Sequence, residues 1–255
     1  MQKKILSVDP SIYKDQFIND DPFHHVVIDN FLEENFAKEL RKNFPNPHQE
    51  NWWVYNNPLE KKFAFNNIES LNDCFNTFFS YVNSEEFIKK LEELTGVSNL
   101  KPDKQLNGGG LHMIARGGKL DIHEDYNIHK GLGMLRKLNL IYYLSDPWDE
   151  SWGGHLELWN KDMTKCHKKI APIFNRAVIF RTDMGSNHGH PHPLTCPEKS
   201  YRMSLATYYY VVVDNLEKIP FISTFFKKLP DSNDQLDELR EIRKNGRLKD
   251  LKTKG

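Results

Sequence analysis

The chain changes its hydrophobic rhythm near residue 105. Before that point apolar residues recur at threes and fours, the spacing of a helix face. "DNFLEENFAKELRKNF" carries Phe31, Leu32, Phe36, Leu40 and Phe44 in that pattern, with Asp29 or Asn30 as the cap. "NSEEFIKKLEELTG" repeats it, opening on Asn83 or Ser84 and stopping at Gly96. "HHVVID" ahead of the first helix is a short strand signal. Between the helices, "PHQENWWVYNNPLEKKFAF" is polar, aromatic and irregular. Its Trp52, Trp53 and Tyr55 read as a loop packed onto a core in preference to a lid over a site.

From about 106 to 213 the rhythm shortens to alternation: "LHMIAR", "KLDIHED", "KLNLIYYL", "HLELWN", "KKIAPIF", "RAVIFRT" and "RMSLATYYYVVV", separated by Pro, Gly, Asn and Asp. That many short strands without a helical period predict a sandwich or barrel. From 214 onward the pattern predicts a surface helix fraying into a solvated tail, with seven basic residues against two acidic ones from Arg240 to Lys254. The expected organisation is therefore 1–105 as a helical support region packed on the core, 106–213 as the β core, and 214–255 as a C-terminal helix and basic tail.

Composition narrows the function classes. Over 255 residues, 35 basic and 35 acidic side chains cancel, so no global charge draws the chain to nucleic acid. No apolar run approaches the roughly 20 residues of a membrane span, and the N-terminal stretch lacks the apolar segment of a secretory signal. Cys74, Cys166 and Cys196 are odd in number and widely spaced, which argues against a disulfide framework or a thiolate zinc site. A cytoplasmic protein without membrane or nucleic-acid partners is the expectation.

Histidine locates the chemistry. Eight of the eleven histidines fall between 112 and 192, inside the strand-rich region. In "KLDIHEDYN", alternation on a strand sets Asp121, His123 and Asp125 on one face and Leu120, Ile122 and Glu124 on the other. His123 and Asp125 thus offer an imidazole and a carboxylate to one point. One more histidine completes a facial triad, which leaves positions open on an octahedral metal, as in non-heme Fe(II) oxygenases. "SNHGHPHP" supplies candidates in His188, His190 and His192. Pro191 and Pro193 lack an N–H and should end a paired strand near His190, leaving His192 the weakest candidate. Local physics leaves His188 and His190 both open. In "SYRMSL", Arg202 and Ser204 share a strand face and form a fork suited to a carboxylate. A buried arginine needs such a partner, and a dicarboxylate that chelates a metal at its other end supplies one.

These residues resemble the 2-oxoglutarate/Fe(II) oxygenase superfamily, and within it the prolyl-hydroxylase-like branch. "RKLNLIYYLSDPWDESWGGHLELW" is similar to a strand–loop–strand stretch of the hypoxia-sensing prolyl hydroxylases, through R-x-x-x-x-I-Y-Y-L, a following Trp and Gly-Gly. "PIFNRAVIF" resembles the segment before that family's last metal histidine, and "VVIDNFLEENFAKEL" its preceding strand and helix. The likeness spans about residues 22 to 213. It implies a double-stranded β-helix, or jelly-roll, of α+β class with a mainly β core and supporting N-terminal helices.

It further implies metal ligation by His123, Asp125 and, through the S-x-H-G-x-P segment, His188, with His190 beside the iron or the substrate. Arg202 would grip the distal carboxylate of 2-oxoglutarate with Ser204 and Tyr143, while Asn139 and Ile141 line the pocket. Collagen-type members carry Lys where this chain has Arg202. On the strand before His123, the cosubstrate contact falls on His112 or Met113. The implied cofactors are Fe(II), 2-oxoglutarate and O₂, and the resemblance also admits ascorbate as an auxiliary reductant. Halogenating members replace the carboxylate by a small residue, so Asp125 implies hydroxylation, of a prolyl residue in a protein or peptide or of a small molecule. A cupin-like module that holds metal without turnover shares the barrel and the histidines, but it gives Arg202, Ser204 and Tyr143 no reason to stand in register.

Overall fold

The computed structural model describes residues 4–47, 51–183, 185–245 and 252–254. Among the described residues five α-helices form: α1 (Lys14–Asn19), α2 (Glu34–Lys42), α3 (Asp73–Val82), α4 (Glu85–Thr95) and α5 (Asp237–Lys244). The strands ahead of residue 105 are β1 (His25–Asp29), β2 (Trp53–Asn57), β3 (Glu60–Phe65) and β4 (Lys101–Pro102). The strand-rich region holds β5 (Gly110–Ile114), β6 (Lys119–Glu124), β7 (Ile128–His129), β8 (Met134–Tyr143), β9 (Leu156–Trp159), β10 (Cys166–Ile170), β11 (Arg176–Arg181), β12 (Asn187–His190) and β13 (Arg202–Val211). Two short strands follow, β14 (Phe225–Phe226) and β15 (Lys252–Lys254). Among the described residues no helix is long and apolar enough to cross a membrane.

The strands run in the order β1-β11-β8-β13-β5-β3-β6-β12-β9-β10, antiparallel at every step. This nearly closed antiparallel barrel is the double-stranded β-helix that the family resemblance implied. One half, β1-β11-β8-β13-β5, carries the helices on its outer face. Alternation explains why: Leu138, Leu140 and Tyr142 of β8 and Met203, Leu205 and Tyr209 of β13 point outward into one core with Phe31, Phe36, Phe78, Phe87 and Leu91. The opposite residues of the same strands face the barrel interior, so all ten positions of β13 are buried. Tyr142 and Tyr209 bury their hydroxyls without loss, donating to Asn175 Oδ1 and to the Val82 carbonyl.

The helix predicted to open at Asp29 or Asn30 begins later, at Glu34. Asn175 is the physical reason. Its side chain accepts from the Leu32 N–H at 2.9 Å and donates to the Leu32 carbonyl at 2.9 Å, holding Phe31 and Leu32 as an extended lead-in. The second predicted helix matches α4, with Ser84 capping it and Gly96 ending it at φ +69°.

The stretch expected to be an irregular loop is instead a hairpin. Asn57 Oδ1 accepts from the N–H groups of Leu59 and Glu60 and closes the Asn-Pro turn. β3 then pairs with both β5 and β6 and so bridges the two halves of the barrel. Trp52 is core, packed on Phe44 and Phe65, whereas Trp53 and Tyr55 line the interior cavity. The C-terminal helix is tied down more firmly than a fraying surface helix: Arg240 is buried on Asp234 and Asp237, and Arg243 reaches Glu60 at 2.6 Å. Of the basic tail, 246–251 and 255 lie outside the described residues, and β15 pairs with β2.

Candidate metal centre and its cavity

β6 and β12 are neighbours in the barrel, and their register sets His123 directly opposite His188. Asp125 follows just beyond β6. One oxygen of its carboxylate lies 3.6 Å from His123 Nε2 and the other 3.4 Å from His188 Nε2. Ligand atoms of the three residues all fall within 4.8 Å of one another. An octahedral ion with bonds of about 2.1 Å sets neighbouring donors about 3 Å apart, close to this arrangement. The rings are also presented correctly. His123 Nδ1 is hydrogen-bonded to the Asp121 carbonyl at 2.8 Å and His188 Nδ1 to the Ser186 carbonyl at 2.9 Å, which places the proton there and leaves each Nε2 lone pair facing Asp125. The ring of Phe226 lies 5.4 Å from that of His123, and Phe180 4.7 Å from that of His188, walling both against water.

Electrostatics keep the donors in their binding forms. Burial works to raise the Asp125 carboxyl, but the Arg136 guanidinium and the His188 and His123 rings hold it well below the ordinary carboxylate range. Burial pushes His188 down to about 4 against the pull of Asp125, so its ring is neutral at pH 7. Two imidazoles and one carboxylate fit a divalent ion with open positions.

Arg136 is a participant that residue chemistry did not single out. Its Nη2 lies 3.0 Å from Asp125 Oδ2, and its Nε and Nη2 donate to Asn139 Oδ1 at 2.9 and 2.6 Å. The rings of Tyr208 and Tyr126 lie 3.5 and 4.7 Å from the guanidinium carbon. Asn139 completes the chain by donating from Nδ2 to Asp125 Oδ2 at 2.8 Å. It lines the cavity, as expected, with its hydrogen bonds spent on orienting the carboxylate. Asn139→Leu is therefore expected to weaken Fe(II) binding by about 10- to 100-fold, the usual cost of losing an orienting neighbour, measured by metal titration.

The cavity between the barrel halves has a volume of about 530 Å³. At its other side stands Arg202, buried on β13. Its Nε donates to the Gly154 carbonyl at 2.8 Å and its Nη2 to the Tyr143 hydroxyl at 3.1 Å. Gly154 is needed here, since a Cβ would come within 3.0 Å of Arg202 Cδ and 2.7 Å of Leu194. Burial lowers the Arg202 pKa, with only Tyr143 opposing, and among the described residues no carboxylate pairs with it. Ser204 lines the cavity two residues along, directly opposite His112 on β5. Of the two residues left open on that strand, His112 lines the cavity and Met113 is fully buried in the helix-side core.

One predicted face is corrected. Asp121 does not share the inward face with His123. His190 pairs with Leu120 where an unbroken ladder would pair it with Asp121, so β6 bulges between Leu120 and His123. Leu120 turns into the cavity, and Asp121 turns away to Lys119 at 2.6 Å. Sequence reasoning also missed the roof, where Phe226 pairs opposite His123, and the buried Glu60 held between Lys62 and Arg243.

Comparison with known proteins places this geometry. Residues 94–210, which contain the triad together with Asn139, Tyr143, Arg202 and Ser204, match the 2OG-Fe(II) oxygenase superfamily. No curated protein matches the chain. Among solved structures, the chain is similar to a prolyl hydroxylase from Trichoplax adhaerens in complex with a peptide fragment of the hypoxia inducible factor oxygen degradation domain. The TM-score is 0.58 at 19% identity, over 79% of this chain and 90% of that one. A prolyl-4-hydroxylase from Pseudomonas putida gives 0.57 at 11% identity, over 80% and 100% of the two chains. A structure of prolyl 4-hydroxylases from Phytophthora capsici gives 0.53 at 20%, over 92% and 72%. At these identities the likeness is one of fold.

Proposed function

We infer that this chain, whose residues 94–210 match the 2OG-Fe(II) oxygenase superfamily, is an Fe(II)- and 2-oxoglutarate-dependent dioxygenase that hydroxylates an unactivated C–H bond. The observation that carries the reading is the pairing of two features across one cavity. A His-Asp-His cluster stands on one side, and a buried arginine without a protein counter-ion stands on the other. His123, Asp125 and His188 would hold the iron. Arg202, with Tyr143 and Ser204, would take the distal carboxylate of 2-oxoglutarate, and His112 lines the cavity opposite Ser204. When bound, iron and keto acid together supply the oxidation, in which one atom of O₂ enters the substrate as hydroxyl and the other enters succinate as CO₂ leaves.

The protein's own contribution is position and dryness. Asn139 and Arg136 fix the Asp125 carboxylate, Gly154 and Tyr143 fix the guanidinium, and Ile114, Ile141 and Leu156 make the wall between them apolar. Trp53, Tyr55, Tyr126, Tyr208 and Phe226 surround the remaining space, suited to a prolyl residue of a peptide or a proline-like small molecule. The test is succinate formation from 2-oxoglutarate under air, with a proline-containing peptide and free L-proline compared. Formation that requires Fe(II) and is lost in His123→Ala supports the reading. Equal formation by both proteins would contradict it.

A further inference from the structure

Of the clustered His188, His190 and His192, His190 is the buried one that the metal site does not use. It is 3% exposed, yet among the described residues neither Nδ1 nor Nε2 has a hydrogen-bond partner. Buried polar groups are rarely left this way, least of all both nitrogens of one ring, and the case asks for a partner. His123 and His188 differ, because a backbone carbonyl fixes one nitrogen of each.

The backbone has been shaped to aim this ring. The bulge in β6 sets Leu120 opposite His190, and both residues line the cavity with Arg202 and Ser204. Gly189 lets β12 lie close against that bulge, since a Cβ there would stand 2.7 Å from the Asp121 carbonyl and 2.8 Å from that of Leu120. Asp121, the acid that an unbroken ladder would have placed beside the ring, is turned outward to Lys119.

His190 shares the cavity lining with Arg202 and Lys62. An imidazole keeps at least one N–H donor in either protonation state. Here that donor sits beside a guanidinium, in a cavity whose Arg202 side holds no carboxylate among the described residues to accept it.

We propose that His190 is a cosubstrate-binding residue, donating a hydrogen bond to the carboxylate that Arg202 faces. An imidazole from β12 and a guanidinium from β13 then read the same group from two sides of the barrel. The inference rests on the proposed function, because it takes 2-oxoglutarate as the ligand.

The test is calorimetric and needs no turnover. Mn(II)-loaded protein is titrated with 2-oxoglutarate and, separately, with 2-oxobutyrate, which keeps the keto acid and lacks the distal carboxylate. His190→Leu is expected to bind 2-oxoglutarate about 10- to 100-fold more weakly, the worth of one charge-assisted hydrogen bond. It should bind 2-oxobutyrate as wild type does. His190→Gln, which keeps an N–H donor, should recover most of the loss. Thermal melting and Mn(II) affinity report whether each variant is folded. Where the leucine variant melts early, His190→Asn, polar but too short to reach, replaces it with the same selective loss expected. Unchanged 2-oxoglutarate affinity in a folded variant overturns the proposal, as does an equal loss for both keto acids. If the wild-type protein itself binds no 2-oxoglutarate, the proposed function fails, and this inference fails with it.

Discussion

Asp125→Ala is expected to abolish metal-dependent turnover and to weaken Fe(II) binding by more than the about 100-fold that losing a mere orienting neighbour costs. The substitution removes the only carboxylate of the triad and leaves two imidazoles to hold a divalent cation. It also leaves Arg136 buried, 3.0 Å from where its carboxylate partner had been. Stranding one member of a buried pair costs about 3–5 kcal/mol, and the hydrogen bonds from Arg136 to Asn139 recover only part of that. The variant should therefore melt at a lower temperature than wild type even without metal. Asp125→Asn separates the two effects. It keeps the shape and one acceptor for Arg136, so it should melt nearer to wild type while still losing iron. Fe(II) titration and thermal melting, run side by side, check both outcomes.

Arg202→Leu is expected to move the two readouts in opposite directions. In the free protein the guanidinium is a buried cation with only a carbonyl and a phenol for company, and burial lowers its pKa. Replacing it with an apolar side chain removes a desolvation cost without stranding an acid, so stability should hold or rise. Binding of 2-oxoglutarate should fall by about 2–5 kcal/mol, the loss typical of truncating one partner of a buried hydrogen-bonded charge pair. Arg202→Lys should fall between the two. A lysine keeps the charge but cannot donate to Gly154 and Tyr143 while also presenting a planar fork. A merely structural arginine would behave the other way, losing stability and leaving keto-acid affinity alone.

The parts legible in the sequence were those governed by unbroken alternation. On β13 the inward set of Arg202, Ser204, Ala206 and Tyr208 follows from strand period alone, and the structure keeps it. Tyr143, Ile141 and Asn139 are legible on β8 for the same reason. What the sequence concealed sits at two register breaks. The bulge in β6 exchanges Asp121 for Leu120 on the cavity side. A second shift, where Tyr209 pairs with Leu138 and Tyr210 with Arg136, inserts Lys137 as an extra residue in β8. Without it, Arg136 would share the helix face with Leu138 and Leu140; with it, the guanidinium turns inward onto Asp125. Nothing in local composition announces either bulge. The R-x-x-x-x-I-Y-Y-L stretch contains Arg136, but its spacing is not one that strand alternation explains.

The remaining misses are tertiary. Asn175 holds Leu32 extended and delays α2 from a partner 143 residues away, beyond the reach of any cap rule. The hairpin β2–β3 looked irregular because the cavity face of β3 carries the polar Glu60 and Lys62, while its other face sets exposed Lys61 beside Phe63 of the helix-side core, so the strand does not alternate cleanly. Its Asn-Pro turn was the available signal. The C-terminal segment closes over the site through Phe226 on His123 and Arg243 on Glu60, contacts between residues far apart in the chain.

One measurement bears most directly on the whole reading: an anaerobic titration of the Fe(II)-loaded protein with 2-oxoglutarate, followed by visible absorption. Chelation of the iron by the keto acid should produce a charge-transfer band that saturates, is absent in Asp125→Ala, and needs far more 2-oxoglutarate in Arg202→Leu. Iron that binds without any band would contradict the account and leave a cupin-like metal-binding module as the better description of this barrel.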